Sequence, residues 1–438
     1  MAGLDPLGTG LLGLAAMFVL IFLHVPIGIA MGVVGLVGVA LIIGWGPALT
    51  LAATEPSSAM ASEGFAVIAL FLLMGNFANA GGLSAELYRL AQALVGRFRG
   101  GLAFATIGAC AGFGAICGSS VATAATMARI ALPQMLARGY ARELAAGAIA
   151  AGGTLGMIIP PSVVMILYAV LTENSIIALF VAAIVPGLVA VLFYFVTIWA
   201  VVARRPGLAP PGEPADLAAT LRVMGECWAV VLLAVVVSGG IYTGVFTVSE
   251  AAAVGAALAF LLALLRGRMS RAAFVDSLSD TAASTALIFV IIIGASIFSY
   301  FATLSGMPAA IVAGIEALDL PPLAVILLLQ VMYLILGAIF DTIAAMVITL
   351  PFVYPLVTGM GYDPIWWGVV NVLVIELGMI TPPIGINVFV LHGMARDLPL
   401  GTIFRGVIPF ILADLARLLL LILVPSLALW LPRVTGWL

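Results

Sequence analysis

Apolar stretches without charge recur along the whole chain and alternate with short polar segments. Residues 27–43, 175–203 and 287–301 are three examples. A helix needs about 20 apolar residues to cross a bilayer, so the pattern predicts an all-α polytopic membrane protein with about ten to twelve spans. The first apolar stretch follows Asp5 and has no basic residue before it, so we expect a first span rather than a cleaved signal peptide.

Composition agrees with this pattern and excludes several classes of protein. Of the 438 residues, 64% are hydrophobic and only 8% are charged, which is too few charges for the surface of a soluble protein of this length. A net charge of −3 without a basic stripe argues against nucleic acid as a partner. Cys110, Cys117 and Cys227 form no CxxC pair and have apolar neighbours, so we expect buried thiols rather than a disulfide or metal site.

Two segments are polar enough to lie outside the bilayer. Residues 204–220 are rich in Pro, Gly and Ala and include Glu213 and Asp216, which is typical of a linker. Residues 50–64 contain Glu55, Pro56 and several hydroxyl side chains, and we expect an outer loop there. Neither segment is long enough to form a soluble domain.

The chain contains an internal repeat that ends at a proline pair. LGMIIPPS occupies residues 155–162 and LGMITPPI occupies 377–384, an offset of 222 residues between Pro160 and Pro382. The same offset aligns further identical residues without a gap: Pro133 with Pro355, Gly139 with Gly361, Tyr140 with Tyr362, and Gly156 with Gly378. Other residues rarely replace Pro or Gly in the backbone, which explains why these positions are identical in the two copies.

The distribution of basic residues predicts that the two repeats point in opposite directions. All 16 basic residues are arginine, and most lie in short loops, which the positive-inside rule places in the cytoplasm. The offset maps the loop with Arg97 and Arg99 onto Asp319 and Pro321, which belong to an arginine-free loop. We therefore predict inverted repeats at residues 1–203 and 221–438, joined by a cytoplasmic linker at 204–220.

The proline pairs predict two broken helices, at about residues 143–173 and 365–395. Two adjacent prolines remove two backbone donors and block the preceding turn. A bilayer tolerates interrupted backbone only where protein or a polar cavity surrounds it. The freed carbonyl groups suit a small cation, and the helix ends suit an anionic substrate.

Each broken helix follows a segment that starts and ends on one side of the membrane. Residues 101–137 and 322–358 fit either two full spans or one re-entrant hairpin, and the small hydroxyl side chains of GAICGSSVATAAT at 114–126 favour the hairpin. Asp341 lies at the matching tip of the second segment, where a carboxylate is costly unless it meets a cation or a donor. Glu376 is the other acid within a span. Three roles fit it: a hydrogen bond to the backbone near the break, binding of a proton, or an ion pair with an arginine. We favour the structural ion pair.

These residues resemble the large membrane subunit of TRAP transporters, the tripartite ATP-independent periplasmic family. The resemblance covers nearly the whole chain, and its most specific parts are ALPQMLARGY, IIPPSVVMILYAV, FDTIAA and GMITPPIG. It implies an inverted-repeat, elevator-type fold with two re-entrant hairpins in the bacterial inner membrane. It also implies sodium-coupled import of an organic acid such as a C4-dicarboxylate or sialic acid, with sodium as coupling ion and no cofactor. The implied partners are a small four-helix membrane subunit and a periplasmic substrate-binding protein.

The resemblance also implies site residues. It implies one sodium site formed by the first hairpin with the backbone near the second break, and a second site around Asp341, using together Gly114, Ser119, Ser120, Gly156, Gly337, Asp341, Gly378 and Thr381. It places the substrate carboxylate among Ser120, Thr123, Pro160, Thr342, Pro382 and Asn387. The family often has Ser at the position of Cys117 and Asp at that of Thr123, and its Thr-Pro-Thr-Glu motif reads Thr-Val-Ser-Glu at 247–250.

Three other functions compete with this interpretation. A related ion-coupled transporter of organic anions that works without a binding protein is the principal alternative. A passive channel is the second, but broken helices in inverted repeats are more typical of a transporter that works by alternating access. An intramembrane enzyme using Asp341 and Glu376 as paired acids lacks any supporting motif, so we predict no catalysis. Trp366 and Trp367 follow a predicted outer loop, where we expect them to lie in an interfacial belt.

Overall fold

The fold is taken from a computed structural model, which describes residues 5–212 and 217–438 and is helical throughout its regular secondary structure. Glu213 and Asp216 of the predicted linker lie outside these residues. A 3-10 turn, Pro206–Leu208, follows α10, and a π turn, Val235–Gly239, joins α12 to α13. The α-helices are α1 (Pro6–Phe22), α2 (Ile27–Ile43), α3 (Trp45–Ala61), α4 (Glu63–Ala80), α5 (Leu83–Val95), α6 (Gly101–Cys117), α7 (Ser120–Ala137), α8 (Arg142–Ile158), α9 (Val163–Leu171), α10 (Ile176–Arg204), α11 (Leu217–Glu226), α12 (Trp228–Ala234), α13 (Gly240–Tyr242), α14 (Val248–Leu265), α15 (Arg271–Leu304), α16 (Met307–Glu316), α17 (Pro322–Ile339), α18 (Thr342–Gly359), α19 (Pro364–Gly378), α20 (Ile386–Met394), α21 (Leu400–Leu423) and α22 (Ser426–Thr435).

Membrane-spanning helices account for much of this architecture. Among the described residues, eight helices are long and apolar enough to cross a bilayer, or nine if the bent pair of α11 with α12–α13 counts as one span. Five shorter apolar helices, including α1 and α2, add to them. With α1 and α2, which are apolar and 17 residues long, the number reaches the ten to twelve spans expected.

The order of helices repeats at the offset found in the sequence. Subtracting 222 from the bounds of α17, α18 and α19 gives 100–117, 120–137 and 142–156, within two residues of α6, α7 and α8. The packing partners correspond as well. The offset maps α2 onto α14 and α4 onto α15, and α2 lies against α15 while α14 lies against α4. The repeat borders near residues 203 and 221, and the opposite orientation of the halves, stay predictions.

Both proline pairs interrupt a helix, as the sequence predicted. α8 ends and α9 begins on either side of Pro160 and Pro161, and α19 and α20 flank Pro382 and Pro383. The peptide bond within each pair is cis. The predicted hairpin segments contain α6 with α7 and α17 with α18, each pair joined by two residues that are not helical. We call these pairs the first and second hairpin and the joining residues their tips, and their re-entrant course in the membrane stays a prediction.

Side chains of the residues that precede several helices satisfy the first backbone donors. Such caps matter inside a bilayer because no water is present to bond the exposed N–H groups. In the described part of the chain the caps occur at both hairpin tips, at the first break and at four other helix starts, and they are Ser119, Ser162, Ser175, Thr247, Ser270, Asp341 and Asp363. The short polar residue at each tip therefore has a structural role whatever it binds.

The Thr-Val-Ser-Glu motif forms the start of α14. The Thr247 hydroxyl accepts a hydrogen bond from the Glu250 N–H at 3.2 Å, and the Glu250 carboxylate accepts one from the Thr247 N–H at 2.8 Å. This reciprocal capping box satisfies two orphan donors. Val248 at the first helical position does not disturb it, because the box uses only the first and fourth residues of the motif.

Residues 50–64 are not the outer loop that their polarity predicted, because most of them lie in α3. Their hydroxyl groups bond within the helix: Thr50 donates to the Gly46 carbonyl at 3.1 Å and Thr54 to the Thr50 carbonyl at 3.0 Å. Pro56 lies inside the same helix. Internal bonding of this kind makes a polar sequence compatible with a helix.

Trp366 and Trp367 also contradict the prediction, since both are fully buried rather than placed in an interfacial belt. Trp366 donates its ring N–H to the Leu421 carbonyl at 3.0 Å and stacks on Tyr362 with ring centroids 5.0 Å apart. The two indoles therefore pack α19 against its neighbours. The polar loop directly before the two tryptophans misled the prediction, because α19 is buried within the protein from its first turn onward.

A buried charged cluster joins four helices of the protein. On α21, Asp414 and Arg417 form an ion pair at 2.8 Å with side chains 1% exposed. Tyr194 on α10 donates to Asp414 at 2.6 Å and lies 3.0 Å from the Thr154 hydroxyl on α8. Glu376 on α19 is fully buried and has no hydrogen-bond partner among the described residues, and the charges of Arg417 and Asp414 act on it. Sequence reasoning identified Glu376 but missed the acid and the base on α21.

We expect replacement of Arg417 by Met to destabilise the protein strongly, because it leaves two buried carboxylates without a cation. Removing one partner of a buried ion pair costs about 3 to 5 kcal/mol. The exposed pair of Arg89 with Glu226, 3.4 Å apart, offers a matched control, and Arg89→Gln should change stability by no more than about 1 kcal/mol. Denaturation of both variants in mixed micelles measures the difference, and equal stabilities would contradict a structural role for the cluster.

Candidate functional site

The tip of the first hairpin lies against the first helix break. Gly118, between α6 and α7, has φ +61° and donates its N–H to the Gly114 carbonyl at 2.8 Å. A Cβ atom on Gly118 would lie 3.0 Å from the Pro161 carbonyl oxygen and 3.2 Å from the Val163 nitrogen. Glycine therefore suits both the left-handed conformation and the close approach. As a result, the starts of α7 and α9 are neighbours.

Hydroxyl and thiol groups of this tip bond to one another. Thr123 donates its hydroxyl to the Ser119 carbonyl at 2.7 Å, and the Cys117 sulfur lies 3.1 Å from the same hydroxyl. α8 crosses directly behind them: a Cβ on Gly156 would lie 2.6 Å from the Thr123 hydroxyl oxygen and 2.7 Å from the Ser119 carbonyl oxygen. A Cβ on Gly114 would in turn lie 2.5 Å from the Gly156 Cα. These contacts form a compact set of oxygen atoms around a glycine crossing.

The second hairpin repeats this arrangement with a carboxylate. Asp341 is partly buried and accepts a hydrogen bond from the Ala344 N–H at 3.0 Å, which caps α18. The buried Thr342 hydroxyl lies 2.9 Å from the Met379 sulfur, next to the second break. Here α17 and α19 cross at glycines, since a Cβ on Gly378 would lie 2.6 Å from the Gly337 Cα.

The second break differs from the first in its exposure. Pro160 and Pro161 are buried, whereas Pro382, Pro383 and Ile384 are exposed. Thr381 donates its hydroxyl back to the Leu377 carbonyl at 2.7 Å, which closes the end of α19. Beyond the prolines, the Gly385 N–H donates to the Ala338 carbonyl at 3.3 Å, so the start of α20 is held against the second hairpin.

Asn387 connects the two halves of the site. Its buried amide nitrogen donates to the Ser120 hydroxyl at 2.7 Å and to the Ala150 carbonyl at 3.4 Å, and its own backbone N–H donates to the Met379 carbonyl at 3.1 Å. The amide oxygen is buried without a hydrogen-bond partner among the described residues. This one residue on α20 therefore contacts the first hairpin and the first broken helix through its side chain and the second break through its backbone.

These contacts bring the starts of four helices together. α9 meets α7 at Gly118, and α7 meets α20 through Ser120 and Asn387. The start of α18 joins them at Met379, whose sulfur contacts the Thr342 hydroxyl and whose carbonyl accepts from the Asn387 N–H. The N-terminal end of a helix carries partial positive charge and free N–H groups. Four such ends in one region favour an anion without the need for an arginine.

The predicted sodium ligands fall into two groups in the structure. Ser119 lies with Gly114 and Gly156, and Gly337 lies with Gly378. The predicted sites combined residues from opposite halves, but in the described part of the chain no hydrogen bond joins Ser119 or Ser120 to the second break apart from that of Ser120 with Asn387. Glycine contacts therefore pair each hairpin with the broken helix of its own half.

A polar cavity of about 310 Å³ opens beside the first hairpin. Ser119 and Thr126 form its hairpin side, α4 lines it with Asn76 and Asn79, and α15 lines it with Asp280 and other residues. Asn76 donates to the Thr281 hydroxyl at 2.8 Å. Sequence reasoning missed these α4 and α15 residues as site candidates, although Asn76 and Asn79 stand out as amides in the apolar stretch MGNFANAGG.

Comparison with known proteins identifies relatives that belong to one family of transporters. A family model for the DctM component of tripartite ATP-independent periplasmic transporters matches residues 14–427. The chain is 35% identical to the C4-dicarboxylate TRAP transporter large permease protein DctM of Pseudomonas aeruginosa, over 90% of this chain and 94% of the relative. It is 28% identical to the sialic acid TRAP transporter large permease protein SiaM of Vibrio cholerae, over 95% and 96% of the two chains.

A solved structure shares the fold. The Alcanivorax borkumensis YdaH transporter superposes with a TM-score of 0.59 at 18% identity, covering 82% of this chain and 84% of that one. Spanning helices and the family match together identify a multi-pass protein of the inner membrane. The match across residues 14–427 and the relatives above 30% identity show that the chain belongs to the TRAP transporter family, as a large permease subunit of the DctM type.

Proposed function

We propose that this chain carries a small organic acid into the cell together with sodium ions. The observation that supports the proposal best is the meeting of four helix starts around Asn387 and Ser120, because such a region attracts a carboxylate. Relatives are named for C4-dicarboxylates, sialic acid and 2,3-diketo-L-gulonate. A relative is also named for isethionate, a sulfonate, so anionic substrates are a recurring theme.

The substrate carboxylate would bind between the hairpin tips and the helix breaks. Ser120, Thr123 and Thr342 offer hydroxyl groups, and Pro160 and Pro382 mark the interrupted backbone at which helix ends are free. Asn387 has the most informative environment, because its amide oxygen is buried and unpaired while its nitrogen holds Ser120. A buried unpaired acceptor is costly, and a donor group on the substrate, such as a hydroxyl, would remove that cost.

Sodium ions would bind where each hairpin crosses its broken helix. A hard cation prefers oxygen ligands, and the first crossing supplies the Ser119 carbonyl and the Thr123 hydroxyl beside Gly114 and Gly156. The Cys117 thiol there is a poor ligand for sodium. The second crossing supplies the Asp341 carboxylate beside the backbone of Gly337, Gly378 and Thr381, and only this site has a full negative charge to offset that of the ion.

Movement of the site would follow an elevator mechanism, in which one body slides past another. Two groups of helices support this proposal. α2, α4, α14 and α15 pack on one another, while α6 to α8 and α17 to α21 form a second packed group that contains both hairpins and both breaks. The polar cavity lies between α4 and α15 of the first group and the first hairpin of the second, which is where a sliding interface requires solvated surfaces.

Two partners would complete the transporter: a small membrane subunit with four helices and a periplasmic substrate-binding protein. The isethionate TRAP permease DctMQ of Oleidesulfovibrio alaskensis is 32% identical to 98% of this chain, which covers only 66% of that relative. Its additional length supports a second membrane component, which is fused to the permease in that relative. The alternative, a stand-alone ion-coupled transporter without a binding protein, has no such support from the relatives.

Uptake into proteoliposomes should require both the binding protein and an inward sodium gradient. Vesicles would contain the chain with its small subunit and would receive a labelled C4-dicarboxylate or sialic acid on the matching binding protein. Replacing the sodium gradient by potassium should abolish accumulation, because potassium does not fit a site built for a smaller ion. Uptake that persists without the binding protein would favour the stand-alone transporter.

Replacing Asp341 by Asn should lower sodium affinity by about 10- to 100-fold, the range expected for losing a bond to a charged ligand. An amide oxygen still caps α18, so the helix start is retained. Asp363 caps α19 by accepting from the Ile365 N–H at 2.8 Å, and Asp363→Asn therefore makes the same chemical change outside the site. Sodium titration of uptake compares the variants, and an unchanged midpoint in Asp341→Asn would refute its role as a ligand.

We expect Asn387→Ala and Ser120→Ala each to reduce uptake about tenfold or more, because each breaks the contact between the halves. The double variant should be little worse than either single one, since neighbouring residues are coupled by about 0.5 to 3 kcal/mol. The Tyr333 hydroxyl, 2.6 Å from that of Thr349, provides a buried control away from the tips. Thr349→Ala should retain uptake, whereas additive losses at Ser120 and Asn387 would show that their contact is unimportant.

A further inference from the structure

A groove with arginines at its rim runs along the outer side of α10 and α21, and we call it the arginine groove. It has a volume of about 460 Å³ and its lining includes Arg204, Arg205 and Arg405 with the apolar side chains of Ile408 and Leu412. All of the arginines are exposed. The lining contains no residue of either proline pair or either hairpin tip, and the proposed transport chemistry does not use the groove.

Three helix ends form the groove at one side of the membrane. α10 ends at Arg204, α21 begins at Leu400, and α8 begins at Arg142 and contributes Glu143 and Leu144 to the lining. Glycines hold α21 close to α8, because a Cβ on Gly406 would lie 3.1 Å from the Gly147 nitrogen. The groove is therefore fixed by rigid helices, and the positive-inside rule places its arginines at the cytoplasmic surface.

The arginines of the groove have few acidic neighbours in the part of the chain that the structure describes. Within the described residues, Arg204, Arg205 and Arg405 have no acidic side chain at ion-pair distance, and Glu143 is the only acid of the lining. Arg405 uses one nitrogen to donate to the Gly401 carbonyl at 3.1 Å and retains its other donors. By contrast, Arg266 is paired with Glu86 at 2.6 Å. Three cations facing one acid leave an excess of positive charge at the rim.

The groove becomes apolar toward the bilayer. Leu412 lies seven residues beyond Arg405 on α21, which corresponds to about 10 Å along the helix. Ile408 and Leu412 are 51% and 61% exposed and face outward. A cationic rim followed by an exposed apolar wall matches a molecule with an anionic head and a hydrocarbon tail.

We propose that the arginine groove is a binding site for an anionic phospholipid of the cytoplasmic leaflet. The phosphate group lies among the guanidinium groups of Arg204, Arg205 and Arg405, and one acyl chain covers Ile408 and Leu412. Basic recesses between spanning helices on the cytoplasmic side bind anionic headgroups in this way. A zwitterionic lipid binds less well, because its own cation offsets the attraction of the phosphate.

Native mass spectrometry of the purified full-length chain tests the proposal directly. The protein would be offered equal amounts of phosphatidylglycerol and phosphatidylcholine, and we expect selective retention of phosphatidylglycerol. The triple variant Arg204→Gln, Arg205→Gln, Arg405→Gln should lower that retention by at least tenfold, since each charge near a membrane surface contributes roughly fivefold. Leu412→Gln should also weaken retention, because it places a polar group on the acyl-chain wall.

A second triple variant serves as the matched control: Arg222→Gln, Arg271→Gln, Arg396→Gln. It removes the same charge from arginine-bearing segments outside the groove and should retain phosphatidylglycerol. An equal loss in both triple variants would show general attraction and overturn the proposal. Displacement of the lipid by equimolar glycerol phosphate would identify a phosphate site without a lipid, and exclusion of the lipid by the small subunit would identify a protein interface. If the groove variant does not fold, Arg405→Gln alone replaces it.

Discussion

The architecture depends on one constraint: backbone that is interrupted within a bilayer must satisfy its polar groups internally. Two proline pairs break two helices, and two further helix pairs turn at short tips. Each interruption ends at a helix start that is capped by a side chain or held by a neighbouring carbonyl, as Ser119, Ser162 and Asp341 show. Packing the interruptions against one another is the economical solution, and it gathers four helix starts, with their free N–H groups, beside the ends of the four helices that precede them. A region that attracts anions is then a consequence of how the breaks are accommodated.

The two halves meet this constraint with different chemistry. Ser119 in the first half corresponds to Asp341 in the second at the offset of 222 residues, so the same structural position carries a hydroxyl in one repeat and a carboxylate in the other. The first break is buried and the second is exposed. Thr154 and Glu376 correspond in the same way, and both belong to the buried cluster around Arg417. The two repeats therefore share their backbone geometry, but at both of these positions the carboxylate belongs to the second repeat.

Features that depend on neighbouring residues could be predicted from the sequence, whereas contacts between distant segments could not. Proline pairs, glycines and small hydroxyl residues act on the local backbone, so the helix breaks and the tips were readable directly. Contacts between distant segments were not: nothing in the sequence joins Asn387 to Ser120, and the resemblance alone singled out Asn387. Polarity misled where side chains could bond within their own helix, as in α3, or where an aromatic pair turned inward, as with Trp366 and Trp367. Asp414 and Arg417 were missed because they neutralise each other within one helix.

The chemistry of the proposed substrate site has a consequence for substrate selection. The site offers the hydroxyls of Ser120, Thr123 and Thr342 and the amide of Asn387, and no arginine contacts these groups in the part of the chain that the structure describes. A bidentate arginine would fix the position and orientation of a carboxylate, whereas helix ends and neutral donors attract an anion while imposing less geometry. A site of this kind accepts acids of different shape, in keeping with relatives named for dicarboxylates, sialic acid and isethionate. In the proposed transporter, discrimination between substrates then falls to the periplasmic binding protein, because that partner selects the anion before it reaches the membrane.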